Sequence, residues 1–274
     1  MKKVLPILTI LAWIVLGVVS IGSDCSNIVG GAPTNLKVEA DTDSTVKLTW
    51  NAPTEGTPDK YIVYFQEVGA SSFTMIANNV TTTSFVHDPG GKTGTYKVAA
   101  KFGSEEYTSL TTVSTVPVHT AATDVAELNA AGSSGYGWSR TDGTGSTYSM
   151  EQAANAATVD FYISDWAAGH SGTTYYIVSP DVGPTDPGGV VPTGSWHVNG
   201  FSAALSGDVK LLPAHVSGNY YSSQEITQYP FYTGCWMYDN YFALVKISDF
   251  NSSASTVKAE TWFQLVKGLR LIQH

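Results

Sequence analysis

Gly169-His170-Ser171-Gly172-Thr173 sets a serine beside a histidine between glycines, the composition of a turn in which an imidazole could activate a serine nucleophile. The pattern is incomplete. The closing glycine of G-x-S-x-G is replaced by Thr173, and the chemistry needs a strand running straight into a helix, so that the serine sits on a strained turn. Strand-like residues follow instead, so a hairpin turn is the expected role. Asp160 and Asp165 lie close together, as an acid–base pair requires, but their odd spacing on an extended chain sends them to opposite faces. His87, His119, His170, His197, His215 and His274 show no H-x-H or H-x-x-x-H spacing, and neither Cys25 nor Cys235 has a ligand-spaced neighbour. Asp181 and Asp186 flank a Gly/Pro loop without the D-x-D-x-D-G order of a calcium loop. The expectation is a chain with no catalytic residue, no metal and no cofactor.

Aromatic residues are the other chemistry on offer. Beyond residue 117 stand Trp138, Trp166, Trp196, Trp236 and Trp262, together with eleven tyrosines. Flat rings on a weakly charged β scaffold suit sugars, whose C–H faces pack on them. Trp166 and Trp196 lie beside turns, and Trp236 and Tyr238 fall in the segment C-W-M-Y-D-N-Y, so these four are the candidate ligand-binding residues. Trp262 lies in an apolar strand and is expected in the core. A sugar site of this kind predicts at least two coplanar tryptophans facing solvent on one surface.

Composition narrows the partners. The net charge is −9 and the chain has only two arginines, Arg140 and Arg270, which excludes a phosphate-binding surface for nucleic acid and attraction to anionic membranes. With 14% charged residues and many Ser, Thr, Gly and aromatics, the profile is that of an extracellular β-protein with a protein or glycan partner. Lys2 and Lys3, an apolar run from Val4 to about Ile21, and the small residues Ser20 and Gly22 make a secretory signal peptide, residues 1–22, cleaved after Gly22. A retained anchor and a lipoprotein acylated at Cys25 are the competing readings, although Asp24 beside that cysteine departs from the lipoprotein pattern. Residues 23–31 then form a flexible leader. Within it Ile28-Val29-Gly30-Gly31 resembles the N-terminus of an activated chymotrypsin-like protease, but no Gly-Asp-Ser-Gly-Gly loop follows. Cys25 and Cys235 could form one disulfide. The favoured alternative is a buried Cys235 thiol beside Trp236.

The elements that would carry these residues are strands. Val46, Leu48 and Trp50 alternate with Lys47 and Thr49, Pro53, Gly56 and Pro58 break the chain, and Tyr61–Phe65 resumes it. Five further short runs lie between Leu36 and Val116, which makes a sandwich. Pro33, Leu36 and Val38, then Trp50 in L-x-W, Asn51-Ala52-Pro53, Tyr61-x-Val63 and Tyr96-x-Val98-x-Ala100 resemble the fibronectin type III family over residues 32–117. The resemblance implies a β-sandwich with Trp50 and Tyr96 in its core, the Tyr96 hydroxyl tying down a corner, and a role as spacer or interaction surface.

Residues 118–123 (V-H-T-A-A-T) read as a linker. Beyond it, Asp124-x-x-Glu127 predicts a short helix ending near Gly132, and Ser149-x-x-Gln152 predicts another over Met150–Ala157. Thr158–Ile163, Thr174–Ser179, Tyr241–Ile247 and Thr256–Leu265 read as strands, Ser195–Ser202 and Val209–Leu212 as weaker ones, and Pro180–Gly194 as a long loop. The expected whole is mostly β: a type III-like sandwich, then a β-rich α+β domain over 124–274 with one or two short helices. Its expected role is that of a secreted or cell-surface interaction or structural protein without enzymatic activity. Carbohydrate binding through exposed aromatics of the second domain is the alternative.

Overall fold

The computed structural model describes residues 30–165 and 174–274. The signal peptide, Cys25, Trp166 and the Gly169–Thr173 motif lie outside the described residues.

The alternation of the sequence carries through most clearly in Val46–Asn51 and Gly94–Phe102 of the first module. β1 (Thr34–Ala40), β2 (Val46–Asn51) and β5 (Ser84–His87) form one sheet in the order β1-β2-β5. β4 (Thr74–Val80), β3 (Lys60–Glu67), β6 (Gly94–Phe102) and β7 (Glu105–Thr108) form the facing sheet, and the two-residue β8 (Val113–Ser114) pairs with β6. Val46, Leu48 and Trp50 point inward because residues two apart on a strand share a face, and they meet Tyr61, Val63 and Tyr96 from the other sheet. Trp50 stands edge-on to Tyr61 with ring centroids 5.3 Å apart. Tyr96 is fully buried and its hydroxyl pairs with His87 Nδ1 at 2.9 Å, which ties β6 to β5 across the sandwich.

The second module is also two packed antiparallel sheets. One has the order β11-β10-β12-β13-β15, built from β10 (Gly135–Trp138), β11 (Gly145–Tyr148), β12 (Phe161–Ser164), β13 (Tyr176–Val178) and β15 (Ser223–Glu225). The other has the order β14-β16-β17-β18-β9, built from β9 (Val118–Ala126), β14 (Gly200–Phe201), β16 (Phe231–Trp236), β17 (Phe242–Asn251) and β18 (Thr256–Gln264). The core between them is aromatic and aliphatic, with Tyr136, Phe161 and Ile177 from the first sheet meeting Val245, Ala259 and Phe263 from the second. Cys235 is a free, fully buried thiol in this core, and burial raises its pKa well above the ordinary value.

Two expectations change here. The stretch 118–123 is no linker, and no helix follows Asp124, because Val118–Ala126 is one continuous strand paired along β18. Pairing with an edge that is otherwise open outweighs the weak Asp-x-x-Glu capping signal. Met150–Ala157 holds only a three-residue 3-10 turn, Ala153–Asn155, because its buried residues, Met150 and Ala156, are six apart rather than at helical spacing and no side chain caps the turn. Pro180–Gly194 stays irregular apart from a 3-10 turn at Pro180–Thr185. Val209–Leu212 is not a strand, but Leu211 bridges Leu271 of the C-terminal tail.

That tail joins the modules. Val266, Leu269 and Leu271 belong to the first module's hydrophobic core, and Ile272 belongs to the cluster on the outer face of the second module's β17 and β18.

Candidate functional site

The second module brings ionisable groups together at one end of its sheets. Arg140 follows β10, Asp160 precedes β12, and Asp239 lies in the turn between β16 and β17. The Arg140 guanidinium donates to both Asp160 oxygens at 2.8 Å, to Asp239 Oδ2 at 2.8 Å and Oδ1 at 3.2 Å, and to the Trp138 carbonyl at 2.9 Å. Asp160 also accepts from the Trp138 backbone N–H at 2.9 Å and from Asn199 Nδ2 at 3.3 Å. Burial opposes the Arg140 charge, but hydrogen bonds to Asp160 and Asp239 outweigh it and raise its pKa.

This geometry limits the chemistry. A carboxylate has about four acceptor sites, and Asp160, 1% exposed, fills four from Trp138, Arg140 twice and Asn199. All five guanidinium N–H groups of Arg140 are likewise directed at acceptors within the protein. No lone pair on Asp160 is left to take a proton from a bound molecule. The cluster is a structural knot that pins three chain segments.

What the knot supports is a surface. Asn199 Nδ2 donates to the Asp160 carbonyl at 2.8 Å, and its Oδ1 accepts the Tyr238 N–H at 2.9 Å. Tyr238, 48% exposed, lies on the His197 ring with centroids 3.8 Å apart at 27°, and Val198 beside it is 59% exposed. Burial lowers the His197 pKa against the opposing pull of Asp160, so the imidazole under Tyr238 favours its neutral form. Trp236 is half-buried, stacked parallel to His215 at 3.5 Å and 6°, with its Nε1 donating to Asn240 Oδ1 at 3.4 Å.

Of the four candidate ligand residues, Tyr238 and Trp236 reach the surface two positions apart. Trp196 does not. It packs with Met150 and Val191, donating Nε1 to the Pro192 carbonyl at 2.9 Å, because the loop after β13 folds back over the outer face of its sheet. Trp166 lies outside the described residues. Trp138 and Trp262 are buried, so among the described residues no two tryptophans form a coplanar solvent-facing pair. Asp165 is buried beyond the end of β12, apart from the knot that holds Asp160. Sequence reading missed Arg140, Asp239 and Asn199. The scarcity of arginine was the one available signal, since a chain with two of them has little use for either as mere surface charge.

Comparison with known proteins adds the family of the first module. The fibronectin type III domain profile matches residues 31–123. The first module is a fibronectin type III domain. Such domains are generally non-catalytic binding or spacer modules. A solved Fn3-like protein from Clostridium thermocellum is 26% identical over 31% of this chain and 91% of its own, with a TM-score of 0.28. The FN5 domain of Drosophila Lar is 18% identical over 31% of this chain and 96% of its own, with a TM-score of 0.26. No curated protein sequence matches the chain.

The profile match runs past Pro117 into β9, so the type III domain hands over to the second module without a spacer. Between the type III turn at Asp41–Asp43 and the second module lies a cleft of about 430 Å³, with His215, Asn240 and Lys267 on its far wall. It is open and polar, and the His215 ring that faces it is the one stacked on Trp236. Among the described residues no helix is long and apolar enough to cross a membrane.

Proposed function

We propose that the chain is a secreted or cell-surface interaction or structural protein in which the type III domain is the support and the second module carries the recognition surface. The observation that carries this reading is the saturation of the Arg140–Asp160–Asp239 knot. The ionisable groups of this cluster are spent on one another and on holding Asn199 and Tyr238, and the surface they hold up carries an exposed tyrosine stacked on a histidine. Exposed tyrosine on a rigid backing is a common anchor for recognition, because its ring offers contact area at little conformational cost.

Carbohydrate binding is the second reading: the expected pair of exposed tryptophans is missing among the described residues, and what supports the reading is the Tyr238–His197 stack. One ring face is backed by imidazole, and the exposed remainder is available to a pyranose. A glycan array probed with the full mature chain tests both readings when Tyr238→Ala is run beside the wild type. Saccharide binding lost in the variant supports the glycan reading, and absence of binding by the wild type removes it. Turnover of chromogenic ester or glycoside substrates that follows the pure protein would overturn the non-enzymatic reading. Recovery of the full-length chain from the cytosol would overturn the extracellular one.

A further inference from the structure

The end of the chain is not an appendage. After β18, Val266–Leu269 makes a turn closed by Leu269 N–H on the Val266 carbonyl at 3.1 Å, with Gly268 at φ 82°, a left-handed conformation that a side chain would strain. The chain then runs antiparallel to residues 210–212, with Leu212 N–H on the Arg270 carbonyl at 3.0 Å and Ile272 N–H on the Lys210 carbonyl at 2.8 Å.

Along such a segment successive side chains point to opposite sides. Leu269 and Leu271 enter the type III core, where each is fully buried. Ile272 enters the second module's outer cluster beside Leu212, Phe242 and Leu244, and the His274 ring lies 4.1 Å from that of Trp262. Polar groups repeat the pattern. Gln273 accepts the Thr93 N–H at 2.9 Å, takes the Thr93 hydroxyl on its carbonyl at 2.6 Å and donates to Glu67 Oε1 at 2.9 Å, all within the type III domain. Arg270 pairs with Asp43 of the type III domain at 2.8 Å while another of its guanidinium nitrogens donates to the Leu212 carbonyl of the second module. Gln264, fully buried, holds the Thr115 carbonyl at 2.9 Å and the Leu271 carbonyl at 2.8 Å.

We propose that residues 266–274 are an interdomain brace: a strand-like segment whose alternate side chains complete the type III core on one side and the outer cluster of the second module on the other, so that the type III domain is stabilised by residues distant in sequence and the pair moves as one body. Modules joined in tandem move relative to each other by default unless a large apolar interface forbids it. Here the interface includes part of one module's core. The brace also fixes the width of the cleft between Asp41 and His215, because Arg270 N–H bonds the Asp43 carbonyl and Gly268 N–H bonds the Asn240 carbonyl, both at 2.8 Å.

Amide hydrogen exchange on the full chain tests this directly. In Leu269→Ala/Leu271→Ala, protection at Val46, Val63 and Val98 of the type III core falls by about tenfold or more, since truncating buried leucines opens a cavity in a packed core. Ile272→Ala instead lowers protection in β17 and leaves those three amides unchanged. Should the double variant not fold, Gln273→Ala reads the same contact more gently, and exchange at the Thr93 amide accelerates. Unchanged type III protection in the double variant, or an unchanged Thr93 amide in Gln273→Ala, would overturn the brace.

Discussion

Arg140 shows how a single side chain can pin three chain segments together. Its guanidinium neutralises an Asp160 carboxylate that is 1% exposed, and its removal leaves that charge buried without its main partner. Breaking such a pair costs about 3–5 kcal/mol. Arg140→Ala therefore lowers the stability of the second module by about that amount in denaturant unfolding, and Arg140→Lys recovers only part of it, because an ammonium cannot bridge two carboxylates bidentately. A second residue-scale expectation concerns pH. Burial lowers the pKa of His87, whose Nδ1 pairs with the Tyr96 hydroxyl, from its ordinary 6.5, and it also lowers those of His197 and His215. The unfolded chain takes up protons near pH 6.5 while the folded one does so only at lower pH. Stability is thus full above about pH 6.5 and declines as pH falls towards the folded values. The melting temperature should drop between pH 7 and pH 5, with a shallower slope in His87→Gln. An equal or rising melting temperature over that interval would show that these imidazoles are not held neutral. Trp50 and Tyr96 were legible in the sequence because alternation puts them inside whatever the partner strand. Arg140, Asp239 and Asn199 were not, because their contacts span 20 to 99 residues of sequence and carry no spacing rule.

At the scale of elements, strands with their own alternation were readable, and strands defined by their neighbours were not. β2 and β6 announce themselves through period-two apolar residues, and β3 and the β17–β18 hairpin through apolar runs bounded by turns. β9 does not. Its exposed alanines and its Asp-x-x-Glu sequence are locally ambiguous, and only the open edge of β18 settles it as a strand. β10, with two glycines in four residues, is buried at every position, and a Cβ on Gly137 would meet the Thr158 carbonyl oxygen, so the close approach of the chain decides it. Val125 provides the test of β9. It is fully buried between the sheets, and Val125→Asp would place an unpaired charge there. We expect this substitution to unfold the second module as read by near-ultraviolet circular dichroism. A helix-capping or linker stretch at this position would tolerate it with little change.

For the molecule as a whole, the fold class and the type III domain were evident from the sequence, and the fusion of the two modules was not. The stretch G-L-R-L-I-Q-H is too short for its alternation to show which core it enters, yet Leu269 and Leu271 lie in the core of a domain that begins more than two hundred residues earlier. The proposed brace predicts that the two modules unfold as one cooperative unit. Differential scanning calorimetry of the full chain measures this most directly. One endotherm, with calorimetric and van't Hoff enthalpies in agreement, is the predicted result. Two separable transitions, one of them unaffected by changes at Leu269 and Leu271, would contradict it.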